Sequence, residues 1–212
     1  MSKITEIAEL VEKGKAKLVG KAVQEALDEG CDPMEILNQG MIETMSVVGE
    51  KFRTGVIFVP EMLVAAKAMK KGVEVLKPHL SSGSTGALGK VIIATVAGDL
   101  HDIGKNLVAM MIESSGFEVI DLGVDVPIDK IIETYQSNPD TKIICLSALL
   151  TTTMPALRDT VSALNNSDFR GNIKIMVGGA PITQAFADEI GADGYSDDAA
   201  SAATLAKSLV AA

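Results

Sequence analysis

Three short stretches, each following an apolar run, contain residue types that could bind a metal or a large ligand. The first consists of Gly98, Asp99, Leu100, His101, Asp102, Ile103 and Gly104. Imidazole ligates a metal only when it is neutral, and a hydrogen bond to one ring nitrogen fixes which nitrogen is free to ligate. His101 could be such a ligand, with Asp99 two residues back on the same loop as its hydrogen-bond partner, or it could be an ordinary loop histidine.

The other two stretches are Ser147 to Leu149 and Gly178-Gly179. In an open parallel sheet, ligands bind beyond the carboxyl ends of the strands, so we expect all three stretches to meet at one edge. Glycine lets the backbone approach a ligand closely. Gly104, Gly178 and Gly179 are therefore candidate walls of a slot.

Alternating strands and helices are predicted to position these stretches. Apolar, β-rich runs occur at 91–96, 118–121, 142–146, 173–177 and, weakly, 194–195, and helical patterns occur near 104–115, 128–137, 154–165, 181–190 and 198–210. This alternation predicts an α/β domain at 90–212, a Rossmann-like, flavodoxin-type fold with a five-stranded parallel sheet.

Residues 1–80 carry only helix signals. Apolar residues recur at helical spacing over 4–11, 18–27, 36–48 and 63–76. Four amphipathic helices with short loops predict a four-helix bundle. Residues 81–89 are small and lack a periodic apolar pattern, so we expect a linker there that could also act as a hinge.

Composition limits the possible functions. The chain has 212 residues, a net charge of −9 and two cysteines, Cys31 and Cys145, outside any metal-binding spacing. Nucleic-acid binding depends on clustered Lys and Arg, so we expect no nucleic-acid partner. No apolar run reaches the roughly 20 residues of a membrane span, and the start of the chain does not resemble a signal peptide. We therefore expect a cytoplasmic protein without a membrane partner.

The three stretches together resemble the cobalamin-binding domain family, whose pattern is DxHxxG, then SxL, then GG. Residues 34–80 resemble the helical cap that precedes this domain in methionine synthase and in short corrinoid proteins. The resemblance implies that His101 displaces the nucleotide base of the corrinoid and binds cobalt, the base-off/His-on state. It also implies a relay from His101 through Asp99 to a hydroxyl, which aligns with Thr153 where the family has serine.

The remaining expected contacts of the cofactor follow from the same resemblance. Ser147 and Thr151 are expected to bind the nucleotide tail, with Leu149 as an apolar wall and Ala199 at the border of the slot. Phe52 and Val59 of the bundle align with cap residues that cover the methyl-bearing face. The whole stretch from Gly98 to Gly104 is assigned to cofactor binding.

The implied function is that of a methyl carrier in a cobalamin-dependent methyltransferase system, not catalytically complete alone. Expected partners are a substrate-specific methyltransferase for methylamine, methanol, betaine or methoxy-aromatic donors, a second methyltransferase that delivers to tetrahydrofolate or a thiol, and a reductive activator of Co(II). The alternatives are the B12 subunit of a carbon-skeleton mutase and a B12-dependent sensor or regulator. From the residues alone, an ordinary loop histidine and a mononuclear metal site of Asp99, His101 and Asp102 also stay open.

Overall fold

The computed structural model describes residues 2–79 and 88–211. They form two compact units, the first made of the residues up to 79 with the turn 114–116, and the second of the remaining residues from 88 onward. Residues 81–87 of the predicted linker lie outside the described residues.

The first unit is a bundle of amphipathic helices. These are α1 (Lys3–Glu12), α2 (Ala16–Asp28), α3 (Pro33–Leu37), α4 (Glu43–Arg53) and α5 (Val59–Leu76). α3 begins at Pro33, because the Asp32 side chain accepts the Met34 N–H at 3.0 Å and Pro33 occupies the first turn. Gly30, with φ of +84°, ends the preceding turn in the left-handed region, where glycine carries no steric penalty.

The third predicted helix is interrupted rather than continuous. A π-helical turn at Asn38–Ile42 separates α3 from α4. Gly40 lies in this turn, and a Cβ there would be only 3.3 Å from a methyl carbon of Ile7 in α1. Because Gly40 has no side chain, this turn can pack closely against α1.

The second unit is a five-stranded parallel sheet. Its strands are β1 (Lys90–Thr95), β2 (Glu118–Asp121), β3 (Thr141–Ser147), β4 (Lys174–Gly178) and β5 (Gly194–Tyr195), in the order β2-β1-β3-β4-β5. The helices between and after them are α6 (Ile103–Glu113), α7 (Ile128–Ser137), α8 (Met154–Asn165), α9 (Gln184–Ile190) and α10 (Ala199–Ala211). The predicted fold class is confirmed.

The central strands fix the edge on which the site forms. β1, β3 and β4 are almost wholly buried, as expected for parallel strands covered on both faces. Thr95 pairs with Ser147, and Ser147 pairs with Gly178. The carboxyl ends of the three strands therefore lie side by side.

The structure differs from the predicted helix bounds at α9. This helix begins at Gln184 rather than 181, because the Thr183 side chain caps it by accepting the Phe186 N–H at 3.2 Å. In the part of the chain that the structure describes, no helix is both long and apolar enough to cross a bilayer.

Candidate functional site

Asp99 is the centre of a hydrogen-bond cluster at the carboxyl edge of the sheet. The residue is fully buried, with 0% of its surface exposed. Oδ1 accepts the His101 backbone N–H at 3.1 Å and lies 2.7 Å from His101 Nδ1. Oδ2 accepts the Leu149 N–H and the Thr153 hydroxyl, each at 2.7 Å, and the Leu150 N–H at 3.4 Å. The carboxylate thus links the β1–α6 loop to the β3–α8 loop.

These donors set the charge state of Asp99. Burial alone would raise its pKa, but the hydrogen bonds from Thr153, Leu149 and His101 together hold the pKa well below its usual range. Donors aimed at a carboxylate favour the ionised form. Asp99 is therefore a carboxylate at neutral pH, which makes Nδ1 of a neutral His101 the nitrogen that carries the proton.

His101 presents its second ring nitrogen to solvent. Its side chain is 48% exposed, and among the described residues Nε2 has no hydrogen-bond partner. With Nδ1 donating to Asp99, Nε2 keeps its lone pair. The arrangement leaves one oriented imidazole nitrogen free to bind a metal from outside the protein.

Thr153, the expected third member of the relay, lies at the start of α8. Its Oγ1 is 2.7 Å from Asp99 Oδ2 and 2.9 Å from the carbonyl oxygen of Leu150. A hydroxyl has one proton, so these two acceptors compete for it. The structure brings His101, Asp99 and Thr153 together.

Ser147 has a different partner. Its Oγ lies 2.9 Å from Thr95 Oγ1, and Thr95 Oγ1 lies 2.9 Å from the carbonyl oxygen of His101. Sequence reasoning missed Thr95, because a threonine at the end of a β-rich run reads as an ordinary strand residue. Thr95 and Ser147 are neighbours only because β1 pairs with β3, and a search along the sequence does not reveal that pairing.

Asp125, which follows β2, was also missed. Its carboxylate accepts the Gly98 N–H at 2.7 Å, and its own N–H donates to the Asp99 carbonyl at 2.9 Å. Asp125 adopts φ of +53°, a conformation that is uncommon outside glycine. The β2–α7 loop therefore supports the backbone that carries Asp99.

Lys105, one residue after Gly104, forms a third contact that was not predicted. The residue is buried, and Nζ lies 2.6 Å from both carboxylate oxygens of Asp121 at the end of β2. Nζ also donates to Asn106 Oδ1 at 2.7 Å. This ion pair ties the first turn of α6 to β2.

The three motif glycines have different surroundings. A Cβ at Gly104 would meet nothing within 4 Å, and a Cβ at Gly178 would lie 3.6 Å from the Ser196 carbonyl. Gly179 has φ of +128°, and a Cβ there would lie 1.8 Å from the Ala148 carbonyl oxygen. Open space therefore borders Gly104, whereas Gly179 is required by the close approach of two loops of the chain itself.

Large apolar side chains are exposed on the two chain segments that Asp99 links, 100–103 and 149–150. Leu100 is 73% and Ile103 86% exposed, and Leu149 and Leu150 are also exposed. A cluster of exposed apolar side chains often marks a binding surface. This edge of the sheet therefore suits a large ligand with an apolar face.

The other predicted contact residues are not among the hydrogen-bond partners of Asp99. Thr151 is exposed in the β3–α8 loop, and Ala199 is buried at the start of α10. Phe52 and Val59 belong to the bundle, where Phe52 is half-buried and Val59 exposed. Nearby in sequence, Phe58 is also exposed, a residue that sequence reasoning did not select.

The structure does not favour a site in which protein side chains alone hold a single metal ion. Over residues 2–79 and 88–211, no three His, Cys, Asp or Glu side chains are grouped so as to hold a metal ion. Asp102 instead accepts the Asn106 side-chain amide at 3.1 Å. His101 thus stands as a single potential ligand.

Both units match families of known proteins. Residues 89–204 and residues 3–77 each match a family described as B12 binding domain. The chain is 45% identical over 210 residues to dimethylamine corrinoid protein 1 of Methanosarcina acetivorans, covering 98% of this chain and 97% of that protein. It is 44% identical to trimethylamine corrinoid protein 2 of the same organism, covering 92% and 90%.

Solved structures show the same similarity. The methanol:cobalamin methyltransferase complex from Methanosarcina barkeri matches with a TM-score of 0.85 and 31% identity, covering 99% of this chain and 80% of that chain. A cobalamin-binding protein from Desulfitobacterium hafniense matches with a TM-score of 0.81 and 30% identity, covering 99% of both chains.

Proposed function

This chain belongs to the B12-binding family of corrinoid proteins, and we propose that it carries a methyl group on cobalt between partner methyltransferases. The observation that carries the proposal is the environment of His101. One ring nitrogen lies 2.7 Å from a buried carboxylate oxygen, while the other faces solvent beside exposed apolar side chains. In this arrangement, His101 would hold the cobalt of a corrinoid through Nε2.

In this proposal His101 binds cobalt and the nucleotide base of the corrinoid is detached from the metal. Asp99, ionised at neutral pH, holds the tautomer in which Nε2 is unprotonated, and Thr153 donates to the opposite oxygen of the same carboxylate. When bound, the cobalt supplies a strong nucleophile that accepts a methyl group and releases it to another acceptor.

The detached nucleotide tail is proposed to enter beside Gly104. The space next to its Cα is open to 4 Å, so a ligand can approach the backbone there. Thr151 offers an exposed hydroxyl, and Leu149 offers an apolar wall. Gly178, Gly179 and Ala199 are proposed to border the same slot.

The bundle is proposed to protect the methyl-bearing face of the cofactor. Its α4–α5 turn exposes Val56, Phe58 and Val59, and Phe52 lies at the end of α4. Exposed apolar side chains grouped on a helical unit indicate a surface that is covered in some functional state. A reduced cobalt centre needs such cover because oxidants would otherwise consume it.

A methylated amine is the proposed donor class. Relatives named for dimethylamine and trimethylamine are 45% and 44% identical, compared with 31% for the methanol complex. We further propose three partners: a substrate-specific methyltransferase, a second methyltransferase that delivers to tetrahydrofolate or a thiol, and a reductive activator. The match of the bundle itself to a B12-binding family favours a carrier over a mutase subunit.

The first experiment tests the cobalt ligand. The full-length chain is reconstituted with cobalamin, and the Co(II) state is examined by electron paramagnetic resonance with and without nitrogen-15 histidine. We expect a nitrogen splitting that changes on labelling, persists in His79→Gln and disappears in His101→Ala. A splitting that is unaffected by histidine labelling contradicts the base-off/His-on state.

The second experiment tests the donor class. The methylated cofactor should form with dimethylamine or trimethylamine and a matching amine methyltransferase, and not with methanol and its methyltransferase. Methylation by the methanol system alone contradicts the proposed donor.

A further inference from the structure

Thr95, the last residue of β1, is buried and its hydroxyl joins two residues of the site. Its Oγ1 lies 2.9 Å from the carbonyl oxygen of His101 and 2.9 Å from Ser147 Oγ. Its backbone is also fixed: the N–H donates to the Gly123 carbonyl at 3.0 Å, and the carbonyl accepts the Val126 N–H at 3.1 Å. The hydroxyl is therefore held in place between the β1–α6 and β3–α8 loops.

The two contacts determine the direction of the hydrogen bonds. A hydroxyl has one proton to donate, and a carbonyl oxygen can only accept. When both contacts form together, Thr95 donates to His101 and Ser147 donates to Thr95. A hydrogen-bond chain therefore runs from Ser147 through Thr95 to the backbone of His101.

The carbonyl contact removes a motion that Asp99 leaves possible. Both contacts from His101 to Asp99, through the backbone N–H and through Nδ1, converge on the single atom Oδ1. Two bonds to one atom leave the residue able to pivot about that atom. The hydrogen bond from Thr95 to the His101 carbonyl attaches the residue at a separate point and so fixes the direction in which Nε2 points.

We propose that Thr95 is a positioning residue that orients His101 for metal ligation through the carbonyl oxygen of His101. This inference rests on the proposed role of His101 as the cobalt ligand. Thr95 does not touch the reacting atoms. Removing its hydroxyl leaves the His101 carbonyl without that donor and Ser147 without its acceptor.

Three variants of the full-length chain, reconstituted with cobalamin, separate orientation from stability. Thr95→Val removes the hydroxyl and keeps the β-branched shape, and Thr95→Ser keeps the hydroxyl. Thr141→Val is the matched control, because Thr141 is also buried on a strand and donates to a backbone carbonyl, that of Asn138 at 2.7 Å, at the opposite edge of the sheet.

The measured quantity is the ratio of histidine-ligated to unligated Co(II), obtained by electron paramagnetic resonance with nitrogen-15 histidine. Losing one net hydrogen bond corresponds to roughly a two- to tenfold change in an equilibrium constant. We expect Thr95→Val to lower the ratio by about that factor, with Thr95→Ser and Thr141→Val close to the original chain. A loss of stability alone would affect Thr141→Val equally.

Each outcome decides a different point. An unchanged ratio in Thr95→Val, while the original chain shows histidine ligation, overturns the role of Thr95 and leaves the proposed function intact. An original chain without histidine ligation contradicts the base-off/His-on state itself, and with it this inference. If Thr95→Val does not fold, as judged by circular dichroism, Thr95→Ala is measured in its place and the same ratios decide.

Discussion

Replacing Asp99 with asparagine changes one side-chain atom and tests the centre of the site. An amide has one acceptor oxygen and one donor NH2 group. Oδ2 faces two donors at 2.7 Å, the Leu149 N–H and the Thr153 hydroxyl, so the amide oxygen takes that position. The NH2 group then faces His101.

Two consequences follow for His101. Its backbone N–H, which lies 3.1 Å from Oδ1 in the original chain, would face another donor. Nδ1 would become the acceptor, and the proton would move to Nε2. Asp99→Asn should therefore place the proton on Nε2, the nitrogen proposed to bind the metal.

The expected loss of folding stability can be estimated from these contacts. The part-buried His101 N–H costs up to about 1–3 kcal/mol when it is left without an acceptor, and hydrogen bonds to a charged acceptor lose roughly 1 kcal/mol more when it becomes neutral. We expect Asp99→Asn to lower the free energy of unfolding of the cofactor-free protein by about 2–4 kcal/mol. The control Asp102→Asn, on an exposed side chain with one contact at 3.1 Å, should stay within about 0.5 kcal/mol.

The effect should also depend on pH. Because the hydrogen bonds hold the pKa of Asp99 below its usual range, its charge contributes stability above the unfolded pKa of about 4. That contribution is lost as the pH falls through the lower pKa of the folded state. The difference between the original chain and Asp99→Asn should be nearly constant from pH 7 to about pH 5 and shrink below about pH 4.

Urea unfolding of the cofactor-free protein measures the loss of stability, and nitrogen-15 NMR shows which imidazole nitrogen carries the proton. The chain contains only two histidines, so the His79→Gln background leaves a single imidazole to observe. Asp99→Asn should move the imidazole proton from Nδ1 to Nε2. Unfolding free energies within 0.5 kcal/mol of the original, together with a proton still on Nδ1, would refute the account of Asp99 given above.

Three further predictions concern the glycines and the thiols. Gly104→Leu should leave stability unchanged, because a Cβ there meets nothing within 4 Å, but should weaken cobalamin binding at least about tenfold by filling the slot; normal binding would place the tail elsewhere. Gly179→Ala should lower the unfolding free energy by about 2–5 kcal/mol, because its Cβ would lie 1.8 Å from the Ala148 carbonyl oxygen; a stable variant would contradict that contact. Burial raises the pKa of Cys145 to about 12, so a thiol reagent at neutral pH should modify only the half-exposed Cys31 in the native protein and both thiols in denaturant.

Sequence patterns predicted the elements of the fold well because apolar residues recur at helical spacing in the bundle and form continuous runs in the central strands. The run Val91–Ile93 and its counterparts in β3 and β4 are continuous apolar segments, which parallel strands buried on both faces require. The π-helical turn at Asn38–Ile42 was not predictable in this way. Its residues fit a helical pattern, and only packing between Gly40 and α1 distinguishes it.

The site could be predicted from sequence only where a motif marks it. The spacing of Asp99 and His101 within one loop indicated their contact, and the resemblance pointed to Thr153. Asp125 and Thr95 form hydrogen bonds with backbone groups of other residues. Every residue type has such groups, so no sequence motif marks these contacts. Their roles depend on which strands are adjacent, which is information that the order of residues along the chain does not contain.

The buried and the exposed residues of the site have different roles, and solvation explains the difference. A carboxylate can be buried only if donors replace its lost water, and the donors to Asp99 come from two loops, the β1–α6 loop that carries His101 and the β3–α8 loop that carries Thr153. Folding of the sheet therefore brings those donors together and prepares the orientation of His101 without help from the ligand. Leu100 and Ile103, which are 73% and 86% exposed, gain burial only when a ligand covers them, at about 1.5–3 kcal/mol for each fully buried side chain. In the proposed function, affinity for the corrinoid resides mainly in these apolar contacts and in the proposed slot beside Gly104, whereas the buried carboxylate controls the protonation of Nε2, the nitrogen proposed to bind the metal.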